Sequence, residues 1–391
     1  MQRDWDAIVV GLGGIGSAAA YWLSTRPGLR ILGLEQFAFE HPNGASQDHS
    51  RIIRLSYHRR DYVRLAKRAY QTWAEVEVAS GVRIVTRTGG IHLYPEGGVT
   101  PEADCTGSLA DEGVPFERLD AAEAMRRWPQ WRLPDDTSVV YQADTGIADP
   151  NRANPAHRAL AIANGATLLD HSPVTGLRAT GNEYEVMTAD GTIRRTGRVV
   201  LTADAWTNDL LGHLGWRLPL TITREQVTYF ASPDPSLFAP DRFPVWIWMD
   251  EPSFYGFPTY GEAGPKAAQD VGGEECTIAT RSFEVNRRAH ARLYAFMERH
   301  LPEAVGPDLL TKTCLYTLTP ERDFVVDRLP DHPGVVLALG AGHGFKFASV
   351  LGRILGELAM EGRTASVEEI AAFRVDRPVL RETHPAANFR I

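Results

Sequence analysis

The sequence predicts an α/β fold: a Rossmann-like dinucleotide-binding domain with an antiparallel β-sheet domain inserted into it. Three observations carry this expectation. The apolar run Ala7-Ile8-Val9-Val10 leads straight into Gly11-Leu12-Gly13-Gly14-Ile15-Gly16. From about residue 217 to 313 the chain turns β-rich and aromatic, with Thr228-Tyr229-Phe230, Val245-Trp246-Ile247-Trp248 and Phe254-Tyr255-Gly256-Phe257. Beyond it, Gly334-Val335-Val336-Leu337-Ala338-Leu339 reads as a buried strand and residues 349–360 as a helix, so α/β character returns at the far end.

The elements follow in order. A short buried strand at 7–10 precedes a helix that opens near Gly14 and is stopped by Pro27-Gly28. The next strand, Ile31-Leu32-Gly33-Leu34, ends at Glu35. Residues 41–50 are polar and loop-like, and 61–80 have the mixed charged face of a surface helix. Between about 87 and 147 only short strands and turns are expected, with little helical period. A helix at 151–164 and a strand at 166–170 come next. Tyr184-Glu185-Val186-Met187 and Thr192-Ile193-Arg194 flank Ala189-Asp190-Gly191, a hairpin signal. Residues 198–202 are another buried strand, and 284–300 a charged helix. Residues 1–86, 148–216 and 315–391 are therefore assigned to the nucleotide domain, and 87–147 and 217–314 to the substrate domain. In such folds the ligand lies beyond the carboxyl ends of the strands, where the domains meet.

Composition narrows the function classes. The chain has 391 residues, 43% apolar and 23% charged, with a formal net charge of -8. That length supports a large core without disulfides. No basic block stands out, which argues against nucleic acid as a partner. The three cysteines lie far apart, so neither a disulfide framework nor a zinc site is indicated, and no metal is expected. The apolar stretch 7–23 is interrupted by four glycines and preceded by Arg3, Asp4 and Asp6, so it reads as strand, turn and helix rather than a signal or membrane segment. A cytoplasmic protein is inferred.

The glycine motif has a physical reading. Gly11 permits a tight turn, Gly13 lets backbone approach a pyrophosphate, and Gly16 allows close helix packing, with the helix N-terminus facing the phosphates. Glu35, at the end of the second strand, is placed to bind ribose hydroxyls and disfavours a ribose phosphate. Strand, glycines, helix, strand and acid in this order indicate a bound dinucleotide, but do not separate FAD from NAD.

A wider set of motifs is more specific. It comprises the glycine motif; Asn43-Gly44-Ala45-Ser46 leading to Ser50-Arg51-Ile52-Ile53-Arg54; Tyr255-Gly256-Phe257-Pro258-Thr259-Tyr260 with Lys266; Lys312-Thr313-Cys314-Leu315-Tyr316-Thr317; and Gly342-His343-Gly344-Phe345-Lys346-Phe347. Over nearly the whole chain this resembles the monomeric sarcosine oxidase and N-methyltryptophan oxidase family, FAD-dependent amine oxidases of the D-amino acid oxidase superfamily. The resemblance implies a glutathione-reductase-like FAD domain, with FAD held covalently through a thioether to Cys314. It places Arg51 near the flavin, Arg54 and Lys346 on the substrate carboxylate, Lys266 beside the flavin where oxygen reacts, and Tyr255 and Tyr316 in the pocket. Gln36, Ser46, Ser50, Gly342, His343, Gly344 and Phe345 join Gly11, Gly13, Gly14, Gly16 and Glu35 as expected cofactor contacts, with His343 structural rather than catalytic. The implied activity is oxidation of the C–N bond of a secondary amino acid, N-methyl or cyclic, to an imine, with O2 reduced to H2O2 by a monomer.

The chemistry of these side chains agrees. A thiolate suits attack on the electrophilic flavin methyl, a guanidinium fork suits a carboxylate, and a lysine among phenylalanines needs an anionic partner. Without the motifs, Cys314 would be a small buried hydrophobe, Arg51 and Arg54 part of a solvated patch with Arg59 and Arg60, Lys266 a loop lysine, and the tyrosines core or rim. Two departures stand out. Asp270 occupies a position where the family usually carries histidine, and a carboxylate there could pair with a cationic amine. Gln47-Asp48-His49 replaces the family's His-Gly-Asp. These put sarcosine itself in question as the substrate. Trp246 and Trp248 either reshape the pocket or belong to the core of the sheet. Three rivals stay open: a dehydrogenase of the same fold using another electron acceptor, a non-covalent FAD oxidase of primary or D-amino acids, and a degenerate flavoprotein serving as a scaffold.

Overall fold

The computed structural model describes residues 4–383 and 385–388. Its first sheet has six strands in the order Val325–Leu329, His332–Leu339, Val199–Leu201, Ala7–Val10, Ile31–Leu34, Thr167–Leu169. All pairings are parallel except that of Val325–Leu329 with His332–Leu339. Both faces are covered, as a parallel sheet requires. Along the strand Ala7–Val10, Ala7 and Val9 enter a core shared with the helices Gly14–Ser24 and Ala348–Glu361. Ile8 and Val10 enter a second core, shared with Leu177, Tyr184 and Val186 of the antiparallel ribbon Val174–Thr180, Glu183–Thr188, Ile193–Thr196. Burying each such aliphatic side chain contributes about 1.5–3 kcal/mol, so a charge at Val9, which is fully buried, would strike the centre of the domain.

The glycine turn is sterically required. A Cβ on Gly16 would lie 1.8 Å from the Gly11 carbonyl oxygen, and Gly11 itself sits at φ +88. That closeness lets the helix Gly14–Ser24 start directly against the strand end.

The second sheet has nine strands. Eight run in the order Glu274–Glu275, Thr221–Phe230, Lys266–Asp270, Ser253–Phe257, Val245–Trp248, Gly90–Tyr94, Ser138–Gln142, Glu117–Leu119, and Asp308–Leu318 also pairs with Thr221–Phe230. It is antiparallel apart from one parallel pair, Val245–Trp248 with Gly90–Tyr94. The expected boundary between 314 and 315 falls inside the strand Asp308–Leu318. Two helices, Glu102–Asp111 and Ala121–Arg127, occupy the stretch where little helix was expected. The first has Gly107 in its interior and is anchored only by Cys105 and Leu109 in the core, so its apolar period is faint. The second is one short segment capped by the Asp120 side chain on Glu123 N–H, and has too few turns to show a period. Trp246 and Trp248 belong to the core: they pack with Trp131 and Phe296 beneath the helix Arg287–His300. Ile247 between them points the other way and lines the cavity described next.

Candidate active site

Between the two sheets runs a continuous cavity of about 1900 Å³ of non-atom space, its open mouth included. At one end its wall is the glycine turn: Gly11, Gly13, Gly14, Glu35, Gln36 and Ser46. Glu35 is buried and braces that turn. Its Oε2 accepts from Leu12 N–H (2.8 Å), its Oε1 accepts from Phe37 N–H (3.2 Å), and His41 Nε2 lies 3.3 Å from Oε1. Burial opposes its ionisation, but His41 and these N–H groups hold its carboxyl below the usual range. Ser46 Oγ accepts from Gly14 N–H at 2.9 Å. Asp204 also lines this end, at φ 45, with Oδ2 buried and unpartnered; burial pushes its carboxyl up to about 6.

The opposite end is cationic. Arg54 and Lys346 are both buried and face one aromatic ring, their charged groups 4.4 and 5.7 Å from the centre of Tyr57. Arg54 Nη1 donates to His92 Nε2 (3.3 Å), while its Nε has no partner. Among the described residues, no carboxylate lies within ion-pair distance of either cation. Burial, then Arg54, drives the Lys346 ammonium well below its ordinary pKa, against the pull of Asp270. Asp270 is committed elsewhere: Arg322 donates to both of its oxygens, each at 2.8 Å. Burial opposes the Asp270 charge, but Arg322 leads the cations that keep its carboxyl low. Asp270 thus reaches the cavity already paired with Arg322. The carboxylate is fixed by a fork–fork pair, with only its remaining lone pairs turned to other donors.

Arg51 lines the middle of the cavity. It donates to Ser50 O (2.8 Å), Ala45 O (2.8 Å) and Gln47 O (2.7 Å). Arg51 and Arg54 both reach the cavity because Arg54 lies just past the end of the strand Arg51–Ile53, where alternation no longer applies. Tyr255, Tyr316, Gly342, His343, Gly344 and Phe345 complete the wall. Burial pushes the phenols of Tyr255 and Tyr316 up. His343 Nε2 is 3.1 Å from the Arg322 carbonyl, and burial among Arg322 and Lys346 keeps the ring neutral.

Four expected residues are not on the wall: Gly16, Lys266, Ser50 and Cys314. Lys266 is fully buried behind it, donating to Asp48 Oδ2 and to Ser50 O, each at 2.9 Å. Cys314 shares a strand face with Lys312 and Tyr316, and Tyr316 does reach the cavity. Burial pushes the Cys314 thiol up to about 12, and Arg51 is the leading cation drawing it back. Sequence reasoning missed Arg322 and Asp204 as cavity groups, and His92 and Tyr57 as the residues packed against Arg54. None carries a local motif, and Arg322 is 52 residues from the aspartate it holds. Among the described residues there is no cluster of three or more His, Cys, Asp or Glu arranged to hold a metal, and no helix is long and apolar enough to cross a membrane.

Comparison with known proteins shows the family of the chain. The family model described as FAD dependent oxidoreductase (DAO) matches residues 6–358. A monomeric sarcosine oxidase of Streptomyces avermitilis is 37% identical over 93% of this chain and 96% of its own length. One from Arthrobacter sp. (strain TE1826) is 31% identical over 98% of both chains. An N-methyl-L-tryptophan oxidase of Yersinia pestis is 29% identical over 96% of this chain and 99% of its own. Among solved structures, the open form of NikD, an unusual amino acid oxidase essential for nikkomycin biosynthesis, superposes with a TM-score of 0.85 at 28% identity, covering 98% of this chain and 100% of that one. The chain belongs to the FAD dependent oxidoreductases of the DAO family, and within them to the monomeric sarcosine oxidase and N-methyltryptophan oxidase group.

Proposed function

We propose that this protein oxidises the C–N bond of a secondary amino acid, N-methyl or cyclic, to an imine, with O2 as electron acceptor and H2O2 as product. One observation carries the reading: Arg54 and Lys346 are buried together at the end of the cavity with no carboxylate among the described residues within ion-pair distance. Two buried cations without an anion are costly unless a ligand brings one. A substrate carboxylate supplies it, gripped by the Arg54 fork and by the Lys346 ammonium. Asp270, immobilised by Arg322, keeps lone pairs for the substrate N–H and turns the amine towards the middle of the cavity. The substrates named for its relatives, sarcosine and N-methyl-L-tryptophan, are both secondary amino acids.

The residues present fit FAD. The glycine turn offers a cradle with no side chain in the way (a Cβ on Gly14 would meet the Phe345 ring at 2.8 Å), and the unpartnered Asp204 Oδ2 awaits a donor at that end. Bound there, FAD would supply the redox chemistry, acceptance of a hydride equivalent and transfer of electrons to O2. Cys314 is the residue that would carry it covalently, with Arg51 as the cation that stabilises the thiolate. Ile247, Met249 and Tyr255 line the cavity beside the amine and limit water there. The reading includes a cytoplasmic monomer, in keeping with three free cysteines and relatives named monomeric.

Acid precipitation tests the cofactor: flavin absorbance is expected in the pellet of the wild type and in the supernatant of Cys314→Ala. Anaerobic titration with N-methyl and cyclic amino acids tests the reaction; a flavin that none of them bleaches would sink it. A second reading, a dehydrogenase passing electrons to a carrier, is favoured by one observation: Lys266 turns its ammonium to Asp48 and does not line the cavity. Stoichiometric oxygen uptake with substrate excludes it.

A further inference from the structure

Asp48 has no part in the reading above, yet it is the most heavily engaged carboxylate near the cavity. It is 5% exposed, and it adopts φ 86, a left-handed backbone that a non-glycine residue takes at a cost. Its Oδ2 accepts from Lys266 Nζ (2.9 Å). Its Oδ1 accepts from Lys312 Nζ (3.0 Å) and from Tyr229 O–H (2.8 Å), and Arg51 Nη1 is 3.9 Å from Oδ2. The Lys266 ammonium is clamped on its other sides by Ser50 O and by the rings of Phe257 and Tyr229, 4.2 and 5.5 Å away. Ser50 O also accepts from Arg51, so Lys266 stands directly behind the arginine that faces the cavity.

We propose that Asp48 is a positioning residue for reoxidation by oxygen: its carboxylate keeps Lys266 an ammonium ion and fixes that charge behind Arg51. This rests on the reading that O2 is the acceptor and that Lys266 assists it. In that step the reduced cofactor gives up two electrons and one proton, and a second proton comes from water, to make H2O2. Lys266 and Asp48 end as they began. A fixed positive charge favours the step because negative charge develops on oxygen. The charged and titratable groups around the pair are Arg51, Lys312, Tyr229, Tyr255 and Cys314, with Glu262 and His49 beyond Lys312. Burial pulls Lys266 down to about 8, with Asp48 opposing and Arg51 adding to the fall. Removing Asp48 therefore deprotonates Lys266 at lower pH, and removing Lys312, a competing cation on Asp48, does the reverse.

The test uses the holoenzyme. It is reduced anaerobically with dithionite, mixed with oxygenated buffer between pH 6 and 10, and followed by flavin absorbance. The wild-type rate constant is expected to fall through a step near pH 8. Lys266→Met should be slow and lack the step. Asp48→Asn should move the step down by at least about one unit, making reoxidation at pH 8 at least about fivefold slower. Lys312→Met, a change at a half-buried position that keeps the proposal testable if Asp48→Asn does not load flavin, should move it up. A step that stays at its wild-type pH in Asp48→Asn, or in Lys312→Met where only that variant is loaded, overturns the proposal. Wild-type reoxidation in Lys266→Met overturns the role of the lysine, and the proposal with it.

Discussion

Two lysines are buried near this cavity, and their surroundings are opposite. Lys266 has a carboxylate at 2.9 Å, and that carboxylate is shared with Lys312 and Tyr229. Lys346 has no such partner; it shares the Tyr57 ring with Arg54, and its nearest acid is already forked onto Arg322. A buried ammonium is expensive in either place. The protein meets the cost internally at Lys266 and leaves it open at Lys346. The first lysine is therefore part of the permanent structure, and the second is a receptor for an anion that comes and goes. Burial alone does not distinguish a structural charge from a binding charge; the presence of an internal counter-ion does.

The largest effect that would break this contrast is at Asp270. Arg322 is 2% exposed, and removing one partner of so buried a pair costs about 3–5 kcal/mol. Asp270→Ala should lower stability by that amount in denaturant unfolding, because it removes the carboxylate that both Arg322 nitrogens bond and that lies nearest Arg54 and Lys346. An unchanged midpoint would mean that the cluster is not held together by this carboxylate. The next effect separates the two lysines directly. Lys346→Met should weaken the binding of N-methyl amino acids by about 1.5–3 kcal/mol, the worth of a hydrogen bond to a charged group, read as a rise of about 10- to 150-fold in the concentration that half-reduces the flavin anaerobically. The same change should stabilise the ligand-free protein by relieving Arg54. Lys266→Met should leave substrate affinity alone; equal losses of affinity in the two variants would erase the distinction.

The same contrast explains what the sequence made legible. The nucleotide end is built from contiguous residues, Gly11 to Gly16 and Gly342 to Phe345, because a turn between strand and helix is local. Its chemistry is mostly backbone, so glycine spacing alone reveals it. The cationic end draws on positions 54, 57, 92, 270, 322 and 346, brought together by two strands, two loops and a 3-10 turn. Arg54 and Lys346 were visible only through a family resemblance, and Arg322 through nothing. Asp48 was visible as a departure from a pattern, but its role needed the fold, which sets the strands Lys266–Asp270 and Asp308–Leu318 on either side of Thr221–Phe230 and so carries both lysines to one carboxylate. Weak helices at 102–111 and 121–127 escaped because caps and tertiary anchoring, not periodicity, make them.

The smallest expected effect is the most direct probe of the open charge. Burial and Arg54 hold Lys346 below its ordinary pKa in the free protein. In the unfolded chain that lysine titrates near its ordinary value of 10.5. Between those two values the folded protein binds fewer protons than the unfolded one, so this group makes the free protein more stable as pH rises through the window. A carboxylate placed between Arg54 and Lys346 reverses the sign locally: it favours the ammonium, raises its pKa and draws in a proton. Binding of a small carboxylate without an amine, such as acetate, should then weaken as pH rises above the pKa of free Lys346, by at most about tenfold per pH unit. Calorimetry in two buffers of different ionisation enthalpy should record proton uptake at a pH above that value. Lys266 cannot contribute, since its counter-ion is in place before the ligand arrives. Uptake that survives in Lys346→Met would assign the proton to another group, with neutral His92 beside Arg54 the first to test, and would remove the argument that Lys346 is the empty half of an ion pair.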